Sequence, residues 1–316
     1  MHRWFLLLTL LLVLPTTAFA QEGKGIDSPP PQMAKAPKAN PQPIVMEGVI
    51  QSAFAGKQHV VYVLPPDYET SGRTYPAVLS FAGLGESVRG NKAGAWGWVE
   101  KYGVVPAMAA LHRGDDLRSE DFQGLVTGQE LEGYNKVLRE NPYQGVILVC
   151  PYPPNVLKGA VHRPDYERYL FEELLPYTQK HLRVPKTPEG WGVDGISLGG
   201  LLSTYIGFKY PEYFGAIGSQ QGSVGSRAVL LDRLRKDKID ILRTRKLNVA
   251  TSDKDGFKGS ITQFSARLAR AGLEHRFTVL KGRHNKRFVK GPGSMELLLF
   301  HDRALNNNGA MPPEQR

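Results

Sequence analysis

From residue 44 onward, short apolar runs alternate with longer amphipathic stretches. Residues 44–51 and 59–64 carry β-like patterns, and Ala55-Gly56-Lys57 between them reads as a hairpin turn. Compact apolar runs follow at 76–81, 146–149, 191–193, 216–218, 246–250 and 275–280. Between them lie helical periods. Residues 165–182 place Leu170, Leu174 and Tyr177 on one face, with Asp165 in a capping position and Pro176 as a possible kink. Residues 198–209 form a second helical pattern, stopped by Pro211, and a third begins at Ala228 and runs past Leu234. A fourth has Ser260 as cap, Phe264, Leu268 and Ala271 as its stripe and Gly272 as its stop; a last one covers 295–304. Strands alternating with helices of ten or more residues predict a mostly parallel central sheet with helices on both faces. The hairpin adds an antiparallel N-terminal edge. Residues 90–144 are less regular and read as a long insertion of helices and loops beside a substrate cleft.

The ends of the chain have a different character. Arg3 precedes a nearly continuous apolar run over 4–15, and Ala18-Phe19-Ala20 is an A-x-A cleavage signature. Residues 1–20 therefore predict a signal peptide cut near Ala20 and a protein exported to the periplasm or medium. The run is short for a membrane span. Residues 21–43, with Pro29-Pro30-Pro31, Pro37, Pro41 and Pro43, predict a disordered linker. The domain proper is then 44–305, and 306–316 reads as a flexible tail.

Composition narrows the class without naming a function. The chain has 316 residues, 41% hydrophobic and 22% charged, and a net charge of +10. That is the make-up of a globular protein with a sizeable core, and it excludes a collagen-like, wholly disordered or polytopic membrane chain. The single cysteine, Cys150, excludes an internal disulfide framework and ends an apolar run as a small hydrophobe. The basic residues of 233–246 are interleaved with acids, as on a solvated face. With no long unbroken basic tract, no nucleic-acid partner is predicted.

The chemistry concentrates in Gly195-Ile196-Ser197-Leu198-Gly199-Gly200. This G-x-S-x-G follows a short apolar strand and opens a helix, the setting of a nucleophile elbow. A serine hydroxyl needs a base, and the base an orienting acid. Four histidines come into question. His181 and His301 lie in predicted helices and His275 starts a strand. His284 sits in a loop beyond a predicted strand, at the end of a parallel sheet where ligands bind. The acid should follow the run 246–250, where Asp255 is favoured and Asp253 is the alternative. The backbone N–H groups of Leu198 and Leu84 are the candidate oxyanion donors, Gly83 allowing close approach.

These residues resemble the esterase D and enterochelin-esterase-like branch of the α/β-hydrolase superfamily. The resemblance runs over roughly 59–304. It rests on Leu64-Pro65-Pro66-Asp67-Tyr68, Tyr75-Pro76-Ala77-Val78-Leu79, Phe171-Glu172-Glu173-Leu174-Leu175-Pro176-Tyr177, the serine motif, Ser252-Asp253-Lys254-Asp255 and Gly282-Arg283-His284. One departure is Ala82-Gly83, where that family usually has His-Gly; Ser252 for a family glycine is a smaller one. The resemblance implies an α/β-hydrolase fold, a Ser197–His284–Asp255 triad, no metal and no organic cofactor. The expected partner is a small-molecule or polymer-linked ester. No membrane span is expected after cleavage, and no feature of the sequence bears on oligomeric state. The reading is an exported serine esterase. An acyltransferase on the same fold, or a non-catalytic envelope protein that keeps it, are the alternatives.

Overall fold

A computed structural model describes residues 41–156 and 162–313. The proposed leader, and the linker up to residue 40, lie outside the described residues. Among those described, no helix is long and apolar enough to cross a membrane.

Eight strands form one sheet in the order β1-β2-β4-β3-β5-β6-β7-β8. They are β1 Ile44–Ser52, β2 Gly56–Leu64, β3 Ala77–Phe81, β4 Ile147–Pro151, β5 Trp191–Gly195, β6 Ala216–Gln220, β7 Lys246–Lys254 and β8 Arg276–Arg283. Strand β2 runs antiparallel to both β1 and β4, and every pairing from β4 to β8 is parallel. The hairpin turns at Gly56, whose φ of 67° suits a residue without a Cβ.

Period-two alternation sends successive side chains to opposite faces. Val60, Tyr62 and Leu64 of β2, Leu79 and Phe81 of β3, and Ile147 and Val149 of β4 enter one core. There they meet Leu170 and Leu174, Leu201 and Leu202, and Phe264 and Leu268 from the helices on that side. Val61, Val63, Val78, Leu148 and Cys150 enter the other, against Met108 and Leu111 of the helix Val104–His112 and Leu297 to Leu299 of the helix Ser294–Leu305. This two-faced burial requires near-continuous apolar strands, and β3 and β4 are buried throughout. Burial also pushes the Cys150 thiol well above its ordinary value, in keeping with a packing role.

Residues 90–144 form helices and loops that pack on the sheet: Trp98, Val104, Phe122 and Tyr134 are buried in the second core. Two local expectations change. Asp165 and Ser260 are not caps, because their helices begin at Pro164 and Lys258, with Arg163 and Phe257 in the cap positions. The predicted kink at Pro176 is absorbed instead by a π-helical stretch, Tyr169–Leu174, which joins Pro164–Arg168 to Leu175–His181. The widened turn comes just before the residue that has no N–H to give.

The described part of the tail also makes contacts. The Asn308 amide donates to the Pro142 carbonyl at 2.8 Å and to Asp302 at 2.9 Å, and Met311 packs on the second core.

Candidate active site

Register brings the candidate residues to one end of the sheet. β3 and β5 are paired from Ala77↔Trp191 to Phe81↔Gly195, so the loops that follow, 82–84 and 196–198, leave side by side. The last pair of β7 and β8 is Lys254↔Arg283, so Asp255 and His284 are the next residue on each strand. All four segments lie at the carboxyl ends of parallel strands, around the point where the chain order reverses across β3 and β5.

Ser197 occupies a turn with φ 59° and ψ −114°, which L-residues rarely adopt. The turn is fixed from outside. Ser197 N–H donates to the Gln220 carbonyl at 2.9 Å, and the Ser197 carbonyl accepts from Leu201 and Ser223. A Cβ on Gly199 would strike the Phe81 carbonyl oxygen and lie 2.6 Å from that of Ala82. A Cβ on Gly195 would strike the Gly199 carbonyl group. Both glycines are therefore required by close approach of backbone to backbone.

His284 Nε2 lies 2.9 Å from Ser197 Oγ, and its Nδ1 lies 3.0 Å from Asp255 Oδ1. The Asp255 side chain is fully buried and that of His284 is one-third exposed. Burial pushes the Asp255 carboxyl up, but His284, the Phe257 amide and the Thr251 hydroxyl together outweigh it and hold the group below the usual aspartate value. Thr251 Oγ1 donates to Oδ2 at 2.9 Å and Phe257 N–H to Oδ1 at 2.9 Å. An ionised Asp255 thus accepts a hydrogen bond from His284 Nδ1–H and leaves the Nε2 lone pair facing the serine hydroxyl.

Asp253 has a different task. It sits where the β7–β8 register shifts between Ser252 and Lys254, and its carboxylate accepts the Gly282 N–H at 2.8 Å. The side chain fills a gap in the ladder left by the irregularity. The other histidines are engaged elsewhere. His301 is buried against Asp194 at 3.1 Å, His275 bonds Ser265 and the Leu273 carbonyl, and His181 stacks on Tyr177.

Leu84 and Leu198 are each the first residue of a helix, Leu84–Ser87 and Leu198–Lys209. First-turn amides have no acceptor within their own helix, so both N–H groups are available beside Ser197. Gly83 approaches closely: a Cβ there would lie 3.6 Å from that of Ser197.

Thr251 and Phe257 were missed by sequence reasoning. Thr251 lies two residues before Asp253, and strand periodicity alone points it only to a face. Phe257 meets the His284 ring edge-on, centroids 5.3 Å apart, and is 42% exposed at the rim. A large aromatic two residues beyond the candidate acid was the available signal. On the far side of the His284 loop, Lys254, Lys281, Arg283 and Arg287 line a cavity of about 380 Å³ together with Glu130 and Asp253.

Strand order and the turn at Ser197 are those of an α/β-hydrolase fold. Comparisons agree. Residues 151–285 match the family model described as "Putative esterase". "Esterase Rv1288" of Mycobacterium tuberculosis is 25% identical over 176 residues, 56% of this chain and 31% of that protein. "Uncharacterized protein YbbA" of Bacillus subtilis is 25% identical over 178 residues, 56% of this chain and 62% of its own length. The chain thus spans less than two thirds of either relative. A solved ferulic acid esterase shares the fold with a TM-score of 0.63 at 20% identity, over 83% of this chain and 99% of that one. The chain thus matches the esterase family model over residues 151–285 and shares its fold with solved esterases.

Proposed function

We propose that this protein is an exported serine esterase that cleaves a carboxylic ester through an acyl-enzyme. The observation that carries the reading is the continuous hydrogen-bonded chain from Asp255 through His284 to Ser197, at 3.0 and 2.9 Å, on a strained turn. Ser197 Oγ attacks the ester carbonyl while its proton passes to His284 Nε2. Asp255 fixes the tautomer that makes Nε2 the acceptor and stabilises the imidazolium. The N–H groups of Leu198 and Leu84 hold the oxyanion. His284 then gives its proton to the leaving alcohol, and the acyl group stays on Ser197. Water, deprotonated by His284, adds to the acyl carbon, and collapse releases the acid and restores the serine. None of these steps calls for a metal or organic cofactor.

Export belongs to the same proposal and rests on the pattern of residues 1–20. The ester is a small molecule or a group linked to a polymer, and the exposed Leu84, Val88 and Phe257 offer apolar surface for its acyl or alcohol part.

The test is Ser197→Ala. The variant should lose nearly all p-nitrophenyl acetate hydrolysis and all labelling by a fluorophosphonate, with unchanged thermal unfolding. Hydrolysis persisting at the wild-type rate would refute the assignment. Mass analysis of the secreted protein tests export: a mature chain beginning at Gln21 is expected, and retention of Met1 would refute it.

A further inference from the structure

The loop that carries Leu84 is braced from behind by a buried phenol and carboxylate. Tyr102 lies just past the short helix Gly97–Glu100, edge-on to Trp98 with centroids 5.2 Å apart. Its hydroxyl accepts the Gly83 N–H at 3.0 Å and donates to Glu86 Oε2. Both side chains are buried. Space for the carboxylate is made by glycine: a Cβ on Gly97 would strike Glu86 Cγ, and one on Gly94 would lie 2.6 Å from the Glu86 carbonyl oxygen. Burial first, then the carboxylate, push the phenol above its ordinary value and keep it protonated as a donor.

The Gly83 N–H bond to Tyr102 fixes the Ala82–Gly83 peptide, which leads directly into the peptide between Gly83 and Leu84. Its carbonyl accepts from the amides of Glu86 at 3.1 Å and Ser87 at 3.3 Å, so it points into the short helix. A trans peptide then turns the Leu84 N–H the opposite way, out of the helix end. With its own N–H committed to Tyr102, Gly83 is clamped between phenol and serine: a Cβ there would lie 3.0 Å from the Tyr102 hydroxyl and 3.6 Å from the Ser197 Cβ. Ala82 supplies only a methyl group, so the loop has no polar side chain at that position with which to hold itself.

We propose that Tyr102, oriented by Glu86, is the positioning residue that aims the Leu84 N–H at the oxyanion of the Ser197 reaction. The proposal rests on the esterase reading for its kinetic consequence, and its structural half stands apart from it. A donor held in place before reaction contributes only where negative charge develops, so its loss falls on turnover and not on substrate binding.

The experiment compares wild type with Tyr102→Phe. Expected are a kcat for p-nitrophenyl acetate lower by roughly 10- to 100-fold, an unchanged KM, and a matching slowing of fluorophosphonate labelling. Hydrogen exchange in a peptide covering 82–87 should speed up while the rest of the protein exchanges as before. Glu86→Gln leaves the phenol a neutral acceptor and should cost severalfold in kcat with KM again unchanged; it carries the test should Tyr102→Phe fail to fold. Wild-type kcat in the folded variants, a loss confined to KM, or unaltered exchange at 82–87 would overturn the proposal. Failure of wild-type protein to label at Ser197 would instead refute the esterase reading, and the exchange comparison would still decide whether Tyr102 holds the loop.

Discussion

At the scale of single residues, two aspartates two positions apart show how neighbouring carboxylates receive different work. Asp255 is buried, bonded to Thr251, the Phe257 amide and His284, and held below its ordinary value despite its burial. Asp253 closes the ladder at Gly282. Asp255→Asn should therefore lower kcat by about 10⁴-fold, since an amide can favour the wrong histidine tautomer. Asp253→Asn should keep kcat within about threefold, because an amide oxygen still accepts the Gly282 N–H. Steady-state kinetics on the two folded variants checks both. Equal losses would mean that the two carboxylates share one function. From sequence, both residues were acids in one turn; a one-residue register shift between β7 and β8 separated them.

At the scale of elements, the serine turn is built by exclusion. Nothing in the helix Leu198–Lys209 requires Gly199 for its own sake, and glycine weakens helices. It is needed because the carbonyls of Phe81 and Ala82 approach from β3. Gly199→Ala should push that loop away from the helix start, costing roughly 1–3 kcal/mol and lowering Tm by about 3–10 °C. Because the displaced loop carries Leu84, hydrolysis should fall further than the folded fraction does. Thermal unfolding and esterase assays on the same sample test this, and a variant with wild-type Tm and rate would contradict it. The glycines were legible as a motif, whereas the partner each one admits was not. The misplaced caps at Asp165 and Ser260 have the same origin. Local composition suggests where a helix can start, and packing of the preceding loop decides where it does.

At the scale of the whole molecule, charge buried between helices ties stability to pH. Glu167 accepts from Lys209 at 2.6 Å and from the Tyr205 and Tyr210 hydroxyls at 3.0 and 2.6 Å, and lies 2.9 Å from His162. Burial raises its carboxyl, but these partners, Lys209 foremost, outweigh it and bring the group from 4.5 to about 2. The folded value lies below the unfolded one, so the stabilisation is complete above about pH 4.5 and is lost as pH falls towards 2. Glu167→Gln should be less stable than wild type by roughly 3 kcal/mol at neutral pH, with the gap closing through that window. Denaturant unfolding at pH 7 and pH 3 measures it, and a gap independent of pH would contradict it. The cluster joins Pro164–Arg168 to the far end of the helix that Ser197 opens, so it also anchors the site's main support.

The sequence by itself determined the alternation of strands and helices, the parallel sheet with its antiparallel edge, and the identity of the serine motif. Those features are written in periodicity and in glycine spacing, which act over a few residues. It also pointed to His284 as the histidine beyond a strand. Tertiary structure decided what depends on distant segments meeting. It brought Asp255 rather than Asp253 to His284, made residues 90–144 a wall of the core, and set Tyr102 and Glu86 behind Gly83. The physical reason is that hydrogen bonds and close contacts are settled within a few ångströms. Residues 16 and 19 positions apart, as Glu86 and Gly83 are from Tyr102, come within that range only once the sheet has aligned the loops that carry them.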